Sequence, residues 1–288
     1  MDEPYFESRL IAPGTWQILS SGDYSYLLAG DTEAILIDSG YGAGNIREYC
    51  ESLCGLPVRK IANTHEHFDH TANNGYFDLV YLSEKAYPNA TVPYASFSGI
   101  EFPRDYKVCF VKAGDVIDIA GRTLEVFEIA DHTPGGLAFL DRRERILFSG
   151  DEIWPRKKLN TPVKSYAGYL SEINRHRSEF DDIYAGDGHH DASIIEKHLA
   201  SAARILGGEQ GTPLELPPRK PHTDEFEGHV VYDRMMPHPG DNAGNLWGRA
   251  PRPTRNFLME TEDTALIYSP DLDEDSGGLA ARRVRTHP

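Results

Sequence analysis

Residues 63–75 read NTHEHFDHTANNG and place His65, His67, Asp69 and His70 within six positions, directly after the strand-like run VRKIA. Imidazoles this crowded repel one another when protonated and resist burial, so they need a shared partner. Neutral imidazole nitrogen and carboxylate oxygen are the donors that Zn²⁺ and similar borderline ions accept. His65 and His67 are two apart at the end of an extended segment, so both rings project to one side. Asp69 and His70 are adjacent and diverge, which suits a second centre beside the first. With 12 His in 288 residues, three at such fixed offsets would arise by chance with a probability of about 0.02. A metal site is therefore strongly preferred over an exposed chance cluster.

The elements that must position this cluster are mostly short strands. TWQILS, YSYLLAG and AILIDSG come first, then a helix over residues 45–54 stopped by Gly55, then VRKIANTH. A second series follows: LVYLSE, KVCFVKAGDVIDIAG, RTLEVFEIAD and LAFLDRRERILFSGD, with turns at Ala120-Gly121 and Asp141-Arg142. Apolar spacing predicts helices over residues 165–177 and 192–206, the latter ending at Gly207-Gly208, with the strand DDIYAGD between them. Strands in series with interspersed helices imply packed sheets with helices outside, an α/β protein. The expected division is a catalytic domain over residues 1–211 and a Pro-rich linker with a β-like C-terminal extension over 212–288, which covers the site or an interface. Within the extension, HVVYDRMM reads as a strand and NFLMETEDTALIYSP as a hairpin turning at Glu262-Asp263. IDSGYGAGN imitates a dinucleotide-binding turn, but its glycines are spaced G-x-G-x-G, and no parallel unit with a ribose-binding acid follows.

Bulk properties narrow the function classes. A formal charge of −16 argues against nucleic acid, whose binding needs Lys and Arg to neutralise phosphates, and against anionic membrane surfaces. No apolar run approaches the roughly 18 residues of a membrane span. The acidic start, MDEPYFESRL, shows no secretory signal, and three cysteines make a poor disulfide framework, so a cytoplasmic location is expected. Cys50 and Cys54 share a helix face with Ile46, Tyr49 and Leu53 and read as core thiols rather than ligands.

THEHFDH resembles the H-x-H-x-D-H signature of the metallo-β-lactamase superfamily, and three further segments resemble its motifs in order. ADHTPGGLAFL is similar to the segment that carries a third histidine, ILFSGDEI to the strand end with a metal-bridging aspartate, and DIYAGDGHHD to the segment with a last histidine. The resemblance covers about residues 14–208 and implies an αββα four-layer sandwich. It implies that His65, His67 and His132 hold one ion, that Asp69, His70 and His189 hold a second, and that Asp151 lies between them. Aligning Gly188 with the family's glycine selects His189 over His190. Asp131, where the family has glycine, would orient an imidazole or be solvated. The implied cofactors are two Zn²⁺, with Fe or Mn as alternatives.

Two such ions can share a water, lower its pKa towards neutrality and polarise a carbonyl, with Asp69 as ligand and proton acceptor. The reaction expected is hydrolysis of an ester, lactone, thioester or amide of a small substrate, acidic or aromatic in part. Self-association is left open. Trp154 stands where lactonases of this fold have Tyr, and with Arg156 it is the candidate substrate contact; PYASFSGIEFPRDY is a candidate further wall. The family's hydroxyacylglutathione hydrolases have a basic helical tail, unlike the acidic, β-like tail here. The alternative is an oxygenase of the persulfide dioxygenase type, with one iron on His65, His67 and His132.

Overall fold

A computed structural model describes residues 6–20, 22–42, 44–91, 102, 105–216 and 255–274. Seven strands form the first sheet in chain order: β1 (Phe6–Ala12), β2 (Thr15–Ser20), β3 (Asp23–Ala29), β4 (Ala34–Ile37), β5 (Lys60–Ala62), β6 (Leu79–Leu82) and β7 (Lys107–Phe110). Its first four strands pair antiparallel and β4 to β7 pair parallel. The second sheet contains β8 (Val116–Asp118), β9 (Thr123–Glu128), β10 (Leu137–Asp141), β11 (Ile146–Gly150), β13 (Asp182–Ala185) and β14 (Gly188–Asp191). Its spatial order is β14-β13-β11-β10-β9-β8.

Strand periodicity assigns alternate residues to different layers. Tyr26, Leu28, Ile35, Ile37 and Ala62 of the first sheet meet Leu124, Val126, Phe139 and Phe148 of the second in a central core. Leu27, Leu36 and Ile61 face the other way and bury the apolar face of α1 (Ile46–Cys54). On the far side, Phe127, Leu140 and Leu147 pack against α3 (Val163–Asn174) and α4 (Ile194–Leu206). These strands are buried on both faces, which explains why they read as continuous apolar runs rather than as alternating ones. The result is the expected helix–sheet–sheet–helix layering.

Asn45 caps α1 by accepting from the Glu48 N–H, and Gly55 ends it in the left-handed conformation. Cys50 is fully buried and unpaired, as a core thiol should be. α3 begins directly after Pro162, two residues earlier than the spacing predicts, and stops three earlier. KVCFVKAGDVIDIAG splits between the sheets as β7 and β8. The break is a turn in which Asp115 accepts from the Lys112 N–H and Gly114 takes φ 87°.

The hairpin expected in the C-terminal segment is present as β16 (Phe257–Glu260) and β17 (Ala265–Tyr268). β17 pairs in parallel with β12 (Arg156–Lys158), and β16 pairs with β15 (Thr212–Pro213). Met259, Leu266 and Tyr268 join the core beneath α3 and α4. The HVVYDRMM segment and most of PYASFSGIEFPRDY lie outside the described residues. No helix among the described residues is long and apolar enough to cross a membrane.

One buried ion pair locks the two sheets together. Arg122, 1% exposed, leaves the β8–β9 turn and donates to Asp141 Oδ2, Thr15 Oγ1 and the carbonyls of Gly14 and Ala29. Its partner Asp141 is fully buried. Removing the guanidinium would leave the charge uncompensated and Oδ2 unpaired, while Oδ1 keeps the Arg143 and Glu144 N–H groups, so Arg122→Ala should lower stability by about 3–5 kcal/mol in urea titration. A loss below about 1 kcal/mol, the range of exposed pairs, would show that the clamp is not needed.

Candidate metal centre

Direction of travel brings the chemistry to one end of the sandwich. β4 and β5 are parallel, so Asp38 and residues 63–67 follow their carboxyl ends together. β3 runs antiparallel to β4 with Tyr26 opposite Ile37, which sets Asp23, at the start of β3, beside the end of β4. β9 and β11 both oppose β10, so His132 beyond β9 and Asp151 beyond β11 emerge at the same end. β13 runs parallel to β11 and delivers Gly186 there.

The side chains converge in two groups. His65, His67, His132 and Asp151 each offer a ligand atom, all within 4.8 Å of one another. Asp23, Asp69 and His70 form a second group under the same limit; Asp69 and His70 lie in α2 (Phe68–Thr71). Asp151 stands between them, its Oδ2 3.5 Å from His132 Nε2 and its Oδ1 3.5 Å from His70 Nε2.

Hydrogen bonds fix which imidazole nitrogens face inward. Asp38 accepts from the Thr64 N–H at 2.8 Å and from Thr64 Oγ1 at 2.7 Å. With that hydroxyl proton committed, His65 Nδ1 donates to Thr64 Oγ1 at 3.0 Å, which leaves Nε2 as a lone-pair donor. His70 Nδ1 donates to Asp38 Oδ2 at 2.9 Å, with the same consequence. His65 Nε2, His70 Nε2, Asp151 Oδ1 and Asp23 Oδ2 are all buried and lack a hydrogen-bond partner. Buried polar atoms aimed at common points without partners are what a cation would satisfy.

Charge supports the same fit. Burial, reinforced by neighbouring imidazoles, holds His65 and His132 well below the ordinary histidine value, and burial brings His67 to about 4. All three are therefore neutral, ligand-ready imidazoles at pH 7. Burial also opposes protonation of His70, but the carboxylates of Asp38, Asp151 and Asp69 outweigh it and raise its pKa. Burial lifts Asp23 to about 8 and Asp151 to about 6, with the crowded acids adding to the rise. Without a cation these acids resist ionising together; with one, their repulsion becomes attraction.

Close backbone approach makes room. A Cβ on Gly186 would lie 2.2 Å from Asp151 Oδ1, and one on Gly150, at φ 51°, would lie 2.3 Å from Thr64 Oγ1. Beneath the site, Lys157 is 2% exposed, its ammonium 3.0 Å from the Asp151 carbonyl, 3.3 Å from Asp131 and 3.4 Å from Glu152. Glu152 accepts from the His132 N–H at 2.7 Å and so fixes that histidine's turn. Glu66, buried between the two histidines of the motif, accepts from Thr133 Oγ1 at 2.6 Å.

The positions of His189 and Asp131 correct two expectations. His189 does not join the second group: it follows Gly188 on β14, a strand that leaves the site, and its Nε2 lies 2.6 Å from Asp182. His190 is likewise turned away, onto Asp187 at 2.7 Å. Asp131 neither orients an imidazole nor is solvated; it accepts from the N–H groups of Asn160 and Thr161 and pairs with Lys157. Arg156 lies on the exposed face of β12, opposite in sense to Lys157. Trp154 does sit by the cluster, its ring centroid 6.5 Å from that of His132 and its buried Nε1 without a partner. His198, on α4, bonds Tyr166 in the core, a structural role.

Asp23 and Asp38 were missed. Asp23 follows Gly22 and reads as an ordinary hairpin residue, and Asp38 sits inside the nucleotide-like glycine run. Neither carries a spacing signal, since only the sheet register brings them to the histidines. The Asp38 carboxylate sets His70's tautomer, so Asp38→Asn should weaken metal binding roughly 10–100-fold in competition with a chromogenic chelator. Unchanged affinity would remove Asp38 from the site.

Comparison with known proteins agrees with this geometry. The sequence profile described as the Metallo-beta-lactamase superfamily matches residues 22–189. An acyl-coenzyme A thioesterase of Gallus gallus is 24% identical over 216 residues, covering 64% of this chain and 74% of that one. A hydroxyacylglutathione hydrolase of Synechococcus sp. (strain CC9902) is 36% identical over 90 residues, 31% of this chain and 33% of that protein. Among solved structures, a metallo-beta-lactamase from Pontibacter korlensis has a TM-score of 0.55 at 18% identity, covering 69% of this chain and 99% of that one. With its profile match spanning more than half of the 288 residues, the chain belongs to the metallo-beta-lactamase superfamily.

Proposed function

We propose that this hydrolase cleaves a thioester of a small acyl group on an anionic thiol carrier, using two divalent cations. The observation that carries the reading is the convergence of His65, His67, His132 and Asp151 beside Asp23, Asp69 and His70. The second group supports two ions over the single iron of an oxygenase. Zinc in the imidazole-rich group suits its donors, and the names of the two relatives favour a thioester over a lactone or an amide.

Bound cations would supply Lewis acidity, making a water nucleophilic at neutral pH and polarising the thioester carbonyl. The protein's share is positioning and proton handling. Asp69 accepts the proton that the attacking water loses at its carboxylate and passes it to the departing thiolate; a C–O bond forms and the C–S bond breaks. The Trp154 Nε1–H, lacking a partner, donates to the carbonyl oxygen as negative charge grows there. Lys157 keeps positive charge against the Asp151 backbone and holds that turn still. Arg156, exposed on β12, offers a guanidinium to the carrier's anionic groups.

A hydrolysis panel on metal-loaded protein, with released thiol read colorimetrically, tests the assignment. Acyl-coenzyme A or acylglutathione should exceed lactones and β-lactams in kcat/KM, and chelation should abolish turnover until Zn²⁺ is restored. Trp154→Phe should lower kcat roughly 100–1,000-fold on the thioester, as loss of one carbonyl-oxygen donor does. Arg156→Ala should raise KM for the anionic carrier and leave kcat alone. One bound iron with oxygen uptake and no thiol release would sink the proposal.

A further inference from the structure

The two donor groups differ in kind. The first presents three imidazoles and one carboxylate; the second presents one imidazole and two carboxylates, with the far oxygen of Asp151 facing it. The difference originates in the fold. The Tyr24 N–H donates to the Gly186 carbonyl at 3.1 Å, which ties the start of β3 to the loop after β13. The side chains that follow turn outward, Asp187 of the loop to His190 and His189 of β14 to Asp182. Asp23, next to Tyr24, faces the cluster, and a carboxylate stands beside His70 and Asp69 where the resemblance led one to expect a second imidazole. The cluster is built to hold something: His70 is fully buried with Nε2 unpartnered, and Asp23 Oδ2 and Asp151 Oδ1 are unpartnered too.

We infer that Asp23 makes the second centre an oxygen-rich site that favours a hard divalent cation of the Mn²⁺ class, while the three-histidine centre keeps zinc. Imidazole suits zinc, carboxylate oxygen suits harder ions, and selection between them comes from ligand type and geometry rather than from raw affinity. This inference rests on the two-cation reading above and sharpens it: the chain becomes a mixed-metal protein, and Asp23 decides which ion the second centre takes.

The test is metal content by mass spectrometry, with Mn²⁺ also read by electron paramagnetic resonance. Apo-protein is equilibrated with one equivalent of Zn²⁺ and excess Mn²⁺. The wild type should hold about one zinc and about one manganese per chain. Asp23→Ala should keep its zinc, which also reports that it is folded, and should bind Mn²⁺ at least roughly tenfold more weakly. Asp23→Asn, of the same shape, should show the same direction if truncation unfolds the chain. Asp23→His should shift a Zn²⁺/Mn²⁺ competition at the second centre towards zinc by at least about tenfold. Manganese content that is indifferent to Asp23, or a wild type that takes zinc and excludes Mn²⁺, overturns this inference alone. A wild type that binds neither ion overturns the two-cation reading with it.

Discussion

Everything at the working end of this molecule follows from one electrostatic constraint. Three neutral imidazoles, a fourth held by carboxylates, and several acids are packed together, most of them buried and His67, His132 and Asp23 at the partly open side. Each alone would cost free energy there, and like charges would add to the cost. The arrangement is stable as a design only when positive charge sits among the donors. Asp151 shows this most clearly, with one oxygen turned to each group.

The fold answers that constraint by making donor direction independent of flexible side chains. Asp38 receives Thr64 and His70 together, so one carboxylate sets the orientation of two imidazoles, one of them through a hydroxyl. Glu152 holds the turn that presents His132, and Lys157 sits behind both. Tight backbone approach at Gly150 and Gly186 lets these layers close on the site. Arg122, at a β8–β9 turn, binds the two sheets into one body, which keeps residues on different sheets in fixed relation. Precision at the site is thus inherited from sheet register and a handful of buried hydrogen bonds.

What could be read from the residues, and what could not, divides along the same line. His65, His67, Asp69 and His70 announced themselves because local spacing in an extended segment is chemistry that a sequence displays directly. His132 and Asp151 were found through motif resemblance, and the structure brings both to the cluster. The layered fold was legible from strand-like runs, and α1 from its caps. Asp23 was not legible, because it reaches the site only through the β3–β4 register. His189 went wrong for a related reason: alignment on a glycine fixed the position along the chain but not the path of β14, which carries both His189 and His190 away from the cluster. Lys157 was not legible as a buried residue. Its burial depends on β12 pairing with β17, a contact between residues 156–158 and 265–267 that no local pattern foretells.

The most direct measurement is anomalous diffraction from crystals of the metal-loaded protein, collected across the zinc and manganese edges. The account predicts one density peak enclosed by His65, His67, His132 and Asp151, and a second enclosed by Asp23, Asp69 and His70. Peaks elsewhere, a second ion ligated by His189, or no bound cation at this end of the sandwich would contradict it.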